Sequence, residues 1–489
     1  MLSLSADLYG ADAVAELDRV AIASGIPSFT LMRRAGEALY RLLRSEYPDA
    51  HRVLVFCGAG NNGGDGYVLA RLCQQAGMAV TVTSLVDTAS LSGSAATACE
   101  QWQELGTVST PSDIDIGEAD VVIDAMLGIG LDRDVCGDYL HCIELINTAD
   151  VPVIAVDIPS GLDADTGSVR PQAVLATHTL TFIARKLGLF TGDGKQHCGE
   201  VILDDLDVPT ETFDSVPSPA TLITAERCRL PRRPHNSHKS AFGHVLIVGG
   251  DHGMAGAVAM ASKAALKIGA GMVSVITRPE HVGAVTAICP EAMVRGSDIG
   301  DVPDMSMTSV THVLAGCGLG QGPWSQRLLH HVLQLQQPVV YDADALNLVA
   351  SQRLMMDNAV LLTPHPGEAA RLLGCPTRDV QSGRFASARE LRHRFGCHTV
   401  LKGSGTVIAD EGHLYVCDAG SAAMATAGMG DVLAGLAVGL LAQGLDTTAA
   451  CCAAVWYHAA AADLSADGKS RGILATDVIQ NIGKVMHER

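Results

Sequence analysis

The sequence predicts an α/β protein of two domains, each a mostly parallel sheet covered by helices on both faces. Three observations predict it. Short apolar strands alternate with helical patterns along most of the chain, which is βα repetition. Glycine-rich turns stand between strand and helix at Cys57–Gly66 (CGAGNNGGDG) and again near Gly428–Asp431 (GMGD). The chain has 489 residues, long for one core. An apolar share of 48% with only 4% aromatics suits tight helix–sheet packing.

Taken in order, residues 9–24 read as an amphipathic helix with Val14, Leu17 and Ala21 on one face. Strand patterns follow at 53–57, 79–84, 120–124, 152–157, 178–183 and 200–203, with helical patterns between most of them. Asp207–Pro219 (DVPTETFDSVPSP) reads as a linker, and Arg229–Lys239 as a second, basic irregular segment. A new series starts at 245–249 and continues at 272–277, 312–315, 338–342, 359–362, 398–401 and 405–409. The Ala-rich stretches near 255–270 and 432–443 are interrupted by glycine and read as buried helices, not membrane spans. The halves show no repeat, so two different α/β domains are expected, 1–215 and 216–489.

Bulk properties exclude some functions. A net charge of −19 argues against nucleic acid and anionic membrane as partners. The fourteen cysteines form no C-x-x-C pair, so reduced core cysteines and a cytoplasmic setting are expected. No basic segment followed by an apolar stretch opens the chain, so no signal peptide is expected. His235 and His238 lack nearby carboxylates and read as a loop, not a metal site.

In the front half, Asn61-Asn62-Gly63-Gly64-Asp65 reads as a turn preceding a helix. It lacks G-x-G-x-x-G, so the ordinary dinucleotide fingerprint is absent. Backbone N–H groups and paired amides there can hold a pyrophosphate or a hard cation. Two further strands end in aspartate, Asp124 and Asp157. Asp124 leads into Gly128-Ile129-Gly130-Leu131-Asp132-Arg133-Asp134, and Asp157 into Ile158-Pro159-Ser160. One such Asp is often an N-cap. Convergence of three strand ends on one sheet edge points to a site. Arg133 is equally suited to phosphate and to solvent.

These strings, GAGNNGGDGYV, D-x-x-x-G-I-G-x-x-R-D and A-V-D-I-P-S-G-L-D, resemble the N-terminal half of the NAD(P)H-hydrate repair enzymes. The resemblance implies a Rossmann-like NAD(P)HX epimerase, interconverting the R and S forms of coenzyme hydrated at C6. It places substrate binding on Asn61–Asp65, Gly128–Asp134 and Asp157, and a potassium ion on Asn62, Asp124 and Ser160. Asp157 is expected to handle protons or to stabilise a cationic ring, assisted by Lys186.

In the rear half, Asp431 stands where a helix opens, and its carboxylate can accept a hydroxyl proton beside free N–H groups. A bare G-x-G-D is also a common helix start. Around it lie Gly316-Cys317-Gly318-Leu319-Gly320, Asp342-Ala343-Asp344-Ala345-Leu346-Asn347, Thr363-Pro364-His365-Pro366-Gly367-Glu368 and Lys402-Gly403-Ser404-Gly405-Thr406. The last is a phosphate-suited turn without P-loop spacing. Together they resemble the ribokinase-like half of the same enzymes. The resemblance implies an ADP-dependent (S)-NAD(P)HX dehydratase that yields AMP and phosphate. By it, Lys402, Gly403, Ser404, Gly405, Thr406 and Gly430 contact AMP. Ala257, Gly320, His365 and Asp431 contact the hydrate. Magnesium is expected for the phosphoryl step, without assignable ligands.

NADHX, NADPHX and ADP are thus the expected small-molecule partners, and a homo-oligomer stays open. The alternative is a small-alcohol kinase of ribokinase-like fold with a non-catalytic N-terminal module. A kinase would leave a stable phosphorylated product.

Overall fold

The computed structural model describes residues 6–111, 116–298 and 309–487. The chain divides into two compact units, Met1–Thr221 and Leu222–Arg489. Among the described residues no helix is long and apolar enough to cross a membrane.

The strands of the first unit are β1 (Asp7–Tyr9), β2 (Arg52–Cys57), β3 (Ala79–Ser84), β4 (Val108–Ser109), β5 (Val121–Ala125), β6 (Val153–Val156), β7 (His178–Phe182), β8 (Arg185–Lys186), β9 (Glu200–Asp204) and β10 (Ala220–Leu222). Its main sheet runs β4-β3-β2-β5-β6-β7-β9, parallel throughout. Strands buried on both faces need apolar residues at every position, and Val53–Cys57 and Val121–Ala125 are buried throughout. Strand order reverses between β2 and β5. That switch point opens a crevice at the strand C-termini. The expected N-terminal helix spans Ala11–Ala23 and buries Val14, Leu17 and Ala21.

Two readings change here. Asn61–Asp65 is not a turn before a helix; it is the first turn of the helix Asn61–Gln75. Gly63 allows this, because a Cβ there would lie 2.2 Å from the Gly58 carbonyl oxygen. The Asp207–Pro219 segment is also no open linker. It carries a 3₁₀ turn at Thr210–Ser215, and Phe213 sits 6.1 Å from the Tyr9 ring.

In the second unit, β11 (His244–Val248), β12 (Met272–Thr277), β13 (Met293–Gly296), β14 (His312–Ala315), β15 (Val339–Tyr341), β16 (Ala359–Leu362), β17 (His398–Leu401), β18 (Thr406–Ala409) and β19 (Leu414–Cys417) form a sheet of order β13-β12-β11-β14-β15-β16-β17-β18-β19. It is parallel up to β17, and β17-β18-β19 is an antiparallel meander. The two Ala-rich stretches are buried helices, Ala255–Ile268 and Met429–Ala442. They pack backbone to backbone: a Cβ on Gly435 would lie 2.3 Å from the Ala261 carbonyl oxygen. All fourteen cysteines are free, and Cys57, Cys317 and Cys397 are buried as expected.

Candidate functional sites

In the first unit, the crevice beside the β2/β5 switch point is a cavity of about 740 Å³. Asn61, Asn62 and Asp65 line it from the helix mouth, Gly128–Asp134 from the loop after β5, and Asp157 from the end of β6. Gly60 caps the helix without a side-chain bond, so the first N–H groups face outward. Ser160 joins the site through hydrogen bonds, not as a cavity wall. Its hydroxyl donates to Asp124 Oδ1 at 2.5 Å and its N–H to Oδ2 at 2.7 Å. Leu127 N–H donates to Ser160 Oγ at 2.8 Å, and Asn62 Nδ2 to the Leu127 carbonyl at 3.1 Å. Asn62, Asp124 and Ser160 are therefore brought to one place.

Asp124 is fully buried, and its bonding partners are neutral N–H and O–H groups. Burial raises its carboxyl to about 6, against the lowering effect of the Ser160 bonds. A buried carboxylate without a cationic partner is short of one positive charge. The oxygens gathered around it suit a hard cation, so these residues fit potassium.

At the far wall, Asp157 adopts φ +66°, a left-handed conformation unusual for a residue with a Cβ. Its Oδ1 accepts from Lys186 Nζ, from Phe182 N–H at 3.0 Å and from Thr181 Oγ1 at 3.2 Å. Lys186 also donates to the Phe182 carbonyl at 2.9 Å and to Thr181 Oγ1 at 3.0 Å. Burial pushes the Lys186 ammonium down, opposed by Asp157. Asp18, from the N-terminal helix, also lines this cavity. Sequence reasoning passed over it, because its helix read only as an amphipathic core element.

In the second unit, four parallel strand ends supply one constellation. Cys317 follows β14, Asp342 follows β15, Thr363 follows β16 and Lys402 follows β17. Lys402 Nζ donates to Asp342 Oδ1 at 2.8 Å, as does Thr363 Oγ1 at 2.7 Å. Burial alone would lower the Lys402 ammonium; Asp342 and Glu368 outweigh it and raise the ammonium. Glu368 Oε2 lies 3.9 Å from Lys402 and accepts the His365 N–H at 2.8 Å. His365 Nδ1 in turn accepts from Gly367 N–H at 3.0 Å. Burial, then Lys402 and Arg371, hold the His365 imidazolium down, which favours the neutral ring.

Asp431 sits in the first turn of Met429–Ala442 and is not its cap. Gly428 takes the cap position at φ +87° with no side-chain bond. Cys317, Asp342 and Asp431 offer ligand atoms within 4.8 Å of one another. Burial raises the Asp431 carboxyl to about 6, with Asp342 adding to it. The thiol of Cys317 is a poor ligand for magnesium, which prefers oxygen, and Lys402 already engages Asp342. The cluster therefore does not fit a protein-held magnesium ion. Gly430 faces the lysine: a Cβ there would lie 3.3 Å from Lys402 Nζ.

Gly320 and Ala257 join from another side. The Asp251 N–H donates to the Gly318 carbonyl at 2.7 Å, and Gly320 N–H to Asp344 Oδ2 at 2.8 Å. A Cβ on Gly318 would lie 2.9 Å from that of Ala257. The Lys402–Thr406 turn has a support that sequence reasoning missed. Arg384, almost wholly buried, donates to the carbonyls of Leu401, Lys402 and Gly405, each at 3.3 Å. Its helix, Arg384–Phe395, is so polar that it gave no sign of an inward arginine.

Known proteins resemble both units. Residues 245–484 match the family described as NAD(P)H-hydrate dehydratase, and residues 28–188 the one described as YjeF-related protein N-terminus. The bifunctional NAD(P)H-hydrate repair enzyme Nnr of Coxiella burnetii is 43% identical, over 97% of this chain and 98% of its own. The enzyme of that name from Escherichia coli is 42% identical, over 95% of this chain and 90% of its own. Among solved structures, the ADP/ATP-dependent NAD(P)H-hydrate dehydratase of Bacillus subtilis, crystallised with ATP and Mg²⁺, is 31% identical. It covers 54% of this chain and 96% of its own, with a TM-score of 0.50. A ribokinase-like superfamily protein from Enterococcus faecalis covers 54% of this chain and 94% of its own, at 29% identity and a TM-score of 0.50. Identity of this extent along nearly the whole length shows that the chain belongs to the bifunctional NAD(P)H-hydrate repair enzymes.

Proposed function

We propose that the chain restores hydrated nicotinamide coenzymes with two sites: the first unit exchanges R- and S-NAD(P)HX, and the second dehydrates the S form at the expense of ADP. The observation that carries the second activity is the Asp431 carboxyl at a helix mouth, beside Lys402 and Asp342. Hydroxide leaves poorly from C6. Asp431 takes the C6 hydroxyl proton as that oxygen attacks the terminal phosphorus of ADP, and AMP departs. Phosphate then leaves C6, driven by the ring nitrogen lone pair, and loss of a C5 proton restores the dihydropyridine.

Lys402–Thr406 and Gly430 hold the nucleotide in this reading. Ala257, Gly320 and His365 hold the hydrate. Because the cluster around Asp431 does not fit a protein-held magnesium ion, that ion would arrive on the nucleotide phosphates.

In the first unit, the N–H groups of Asn61–Gly63 and the loop Gly128–Asp134 hold the phosphates and ribose. Asp157, paired with Lys186, faces the cationic ring formed when C6 loses its oxygen. Asn62, Asp124 and Ser160 would hold potassium, which supplies the missing positive charge beside Asp124. The test mixes the protein with R,S-NADHX and ADP and follows NADH absorbance. Full conversion with release of AMP and phosphate is expected. Conversion that stops at the S fraction removes the epimerase reading. A stable phosphorylated product in place of free phosphate removes the dehydratase reading.

A further inference from the structure

We infer that Asp65 is the catalytic acid of the exchange reaction. The inference rests on the epimerase reading above and deepens it.

Exchange at C6 needs a proton donor, because the oxygen must leave as water. Five aspartates line the cavity, Asp18, Asp65, Asp132, Asp134 and Asp157, and Asp65 and Asp157 share the field of the Lys186 ammonium. Asp157 is already engaged as an acceptor: its Oδ1 receives three donors, one of them the ammonium. Asp65 is the opposite case. Its side chain is only 8% exposed and lines the cavity, and among the described residues no hydrogen bond or ion pair holds its carboxyl. A charge so placed has no hydrogen bond or ion pair of its own, whereas the neutral acid needs only one acceptor. Burial, then Asp157 and Asp18, favour its protonated form and outweigh the opposing pull of Lys186.

The groups facing Asp65 can be named element by element. The Cys57 thiol comes from β2, Asp18 from the helix Ala11–Ala23, Asp157 from the end of β6 and Lys186 from β8. Beside Asp65, Gly64 meets the helices Ser28–Glu46 and Gly93–Gln103 through uncharged Met32 and Ala95.

The step balances. Asp65 gives its proton to the C6 hydroxyl; the C6–O bond breaks and its electron pair leaves with water. The ring nitrogen lone pair forms the C=N⁺ bond. Water then adds to the other face of C6, and the proton it sheds returns to Asp65.

The experiment measures R/S exchange of NADHX over its spontaneous background in the full-length protein, with Asp65→Asn and Asp65→Glu. Asp65→Asn is expected to lower exchange by about 10²–10⁴-fold. Thermal unfolding and ADP-dependent dehydration of the S form should stay as in the wild type. Asp65→Glu should recover part of the loss. An acid works while protonated, so wild-type exchange falls as pH rises through the Asp65 pKa. Wild-type exchange in Asp65→Asn overturns the acid assignment. If the wild-type chain itself fails to exchange the epimers, the parent reading falls, and this one with it.

Discussion

Lys402 Nζ sits 2.8 Å from Asp342 Oδ1, joining the ends of β17 and β15, while Thr363 at the end of β16 donates to the same oxygen. One buried carboxylate thus ties three neighbouring strand ends together and fixes where the ammonium points. Removing one member leaves an uncompensated buried charge. Lys402→Met is expected to destabilise the second unit by roughly 3–5 kcal/mol and to weaken ADP binding by at least about tenfold. Chemical denaturation and calorimetric titration would check both. Unchanged ADP affinity would separate this lysine from the nucleotide.

Asp431→Asn keeps the shape of the helix mouth and removes the base. Dehydration should fall by about 10²–10⁴-fold, with R/S exchange untouched. In the wild type the carboxyl is held at about 6, chiefly by burial and then by Asp342. A base works when deprotonated, so kcat should rise with pH through about 6 and level off above it. A flat profile from pH 5 to 8 would point to another base.

Arg384 braces the Lys402–Thr406 turn from behind through three carbonyls. All three bonds come from Nη2 while Nη1 donates to Gln381 Oε1 at 2.9 Å, and Arg384→Lys, with one nitrogen, cannot serve both. The KM for ADP should rise by about tenfold or more while the epimerase keeps its rate. Steady-state kinetics with ADP varied would show it, and an unchanged KM would mean the turn holds itself.

Asp124→Asn removes the charge that potassium would balance. Exchange in the wild type should drop when potassium is replaced by tetramethylammonium, and Asp124→Asn should lose that dependence. Equal rates in both salts would dissociate the buried carboxylate from cation binding.

Gly435 tests the helix pairing. With only 2.3 Å between a Cβ and the Ala261 carbonyl oxygen, Gly435→Val must push the Ala255–Ile268 helix away. A loss of about 1–3 kcal/mol is expected, with Ala257 displaced and KM for the hydrate raised. Thermal unfolding and kinetics would report these effects.

The central strands were legible because burial on both faces demands unbroken apolar runs, and those runs fell within about a residue of the observed ones. Strands β1, β4, β8, β10, β13 and β19 were not foreseen. All are two to four residues long, too short for a periodic signal. The start of the helix at Asn61 was hidden because two glycines usually signal a turn. Here they permit close approach of the helix to Gly58 and Met32. The aspartates at strand ends were visible as a pattern. Their differing states were not, since Asp157 meets an ammonium and Asp124 meets only neutral donors, and such partners are set by tertiary contacts. Arg384 and Asp18 lay beyond reach for the same reason: each acts far from its neighbours in sequence.

Cys317 lies within 4.8 Å of the Asp431 and Asp342 carboxyls and is wholly buried. Burial and those two carboxyls push its thiol well above the usual range. Peroxide attacks the thiolate, and this sulfur has almost none at neutral pH. The heart of the dehydratase therefore carries a sulfur atom that burial and two acidic neighbours hold in its less reactive thiol form.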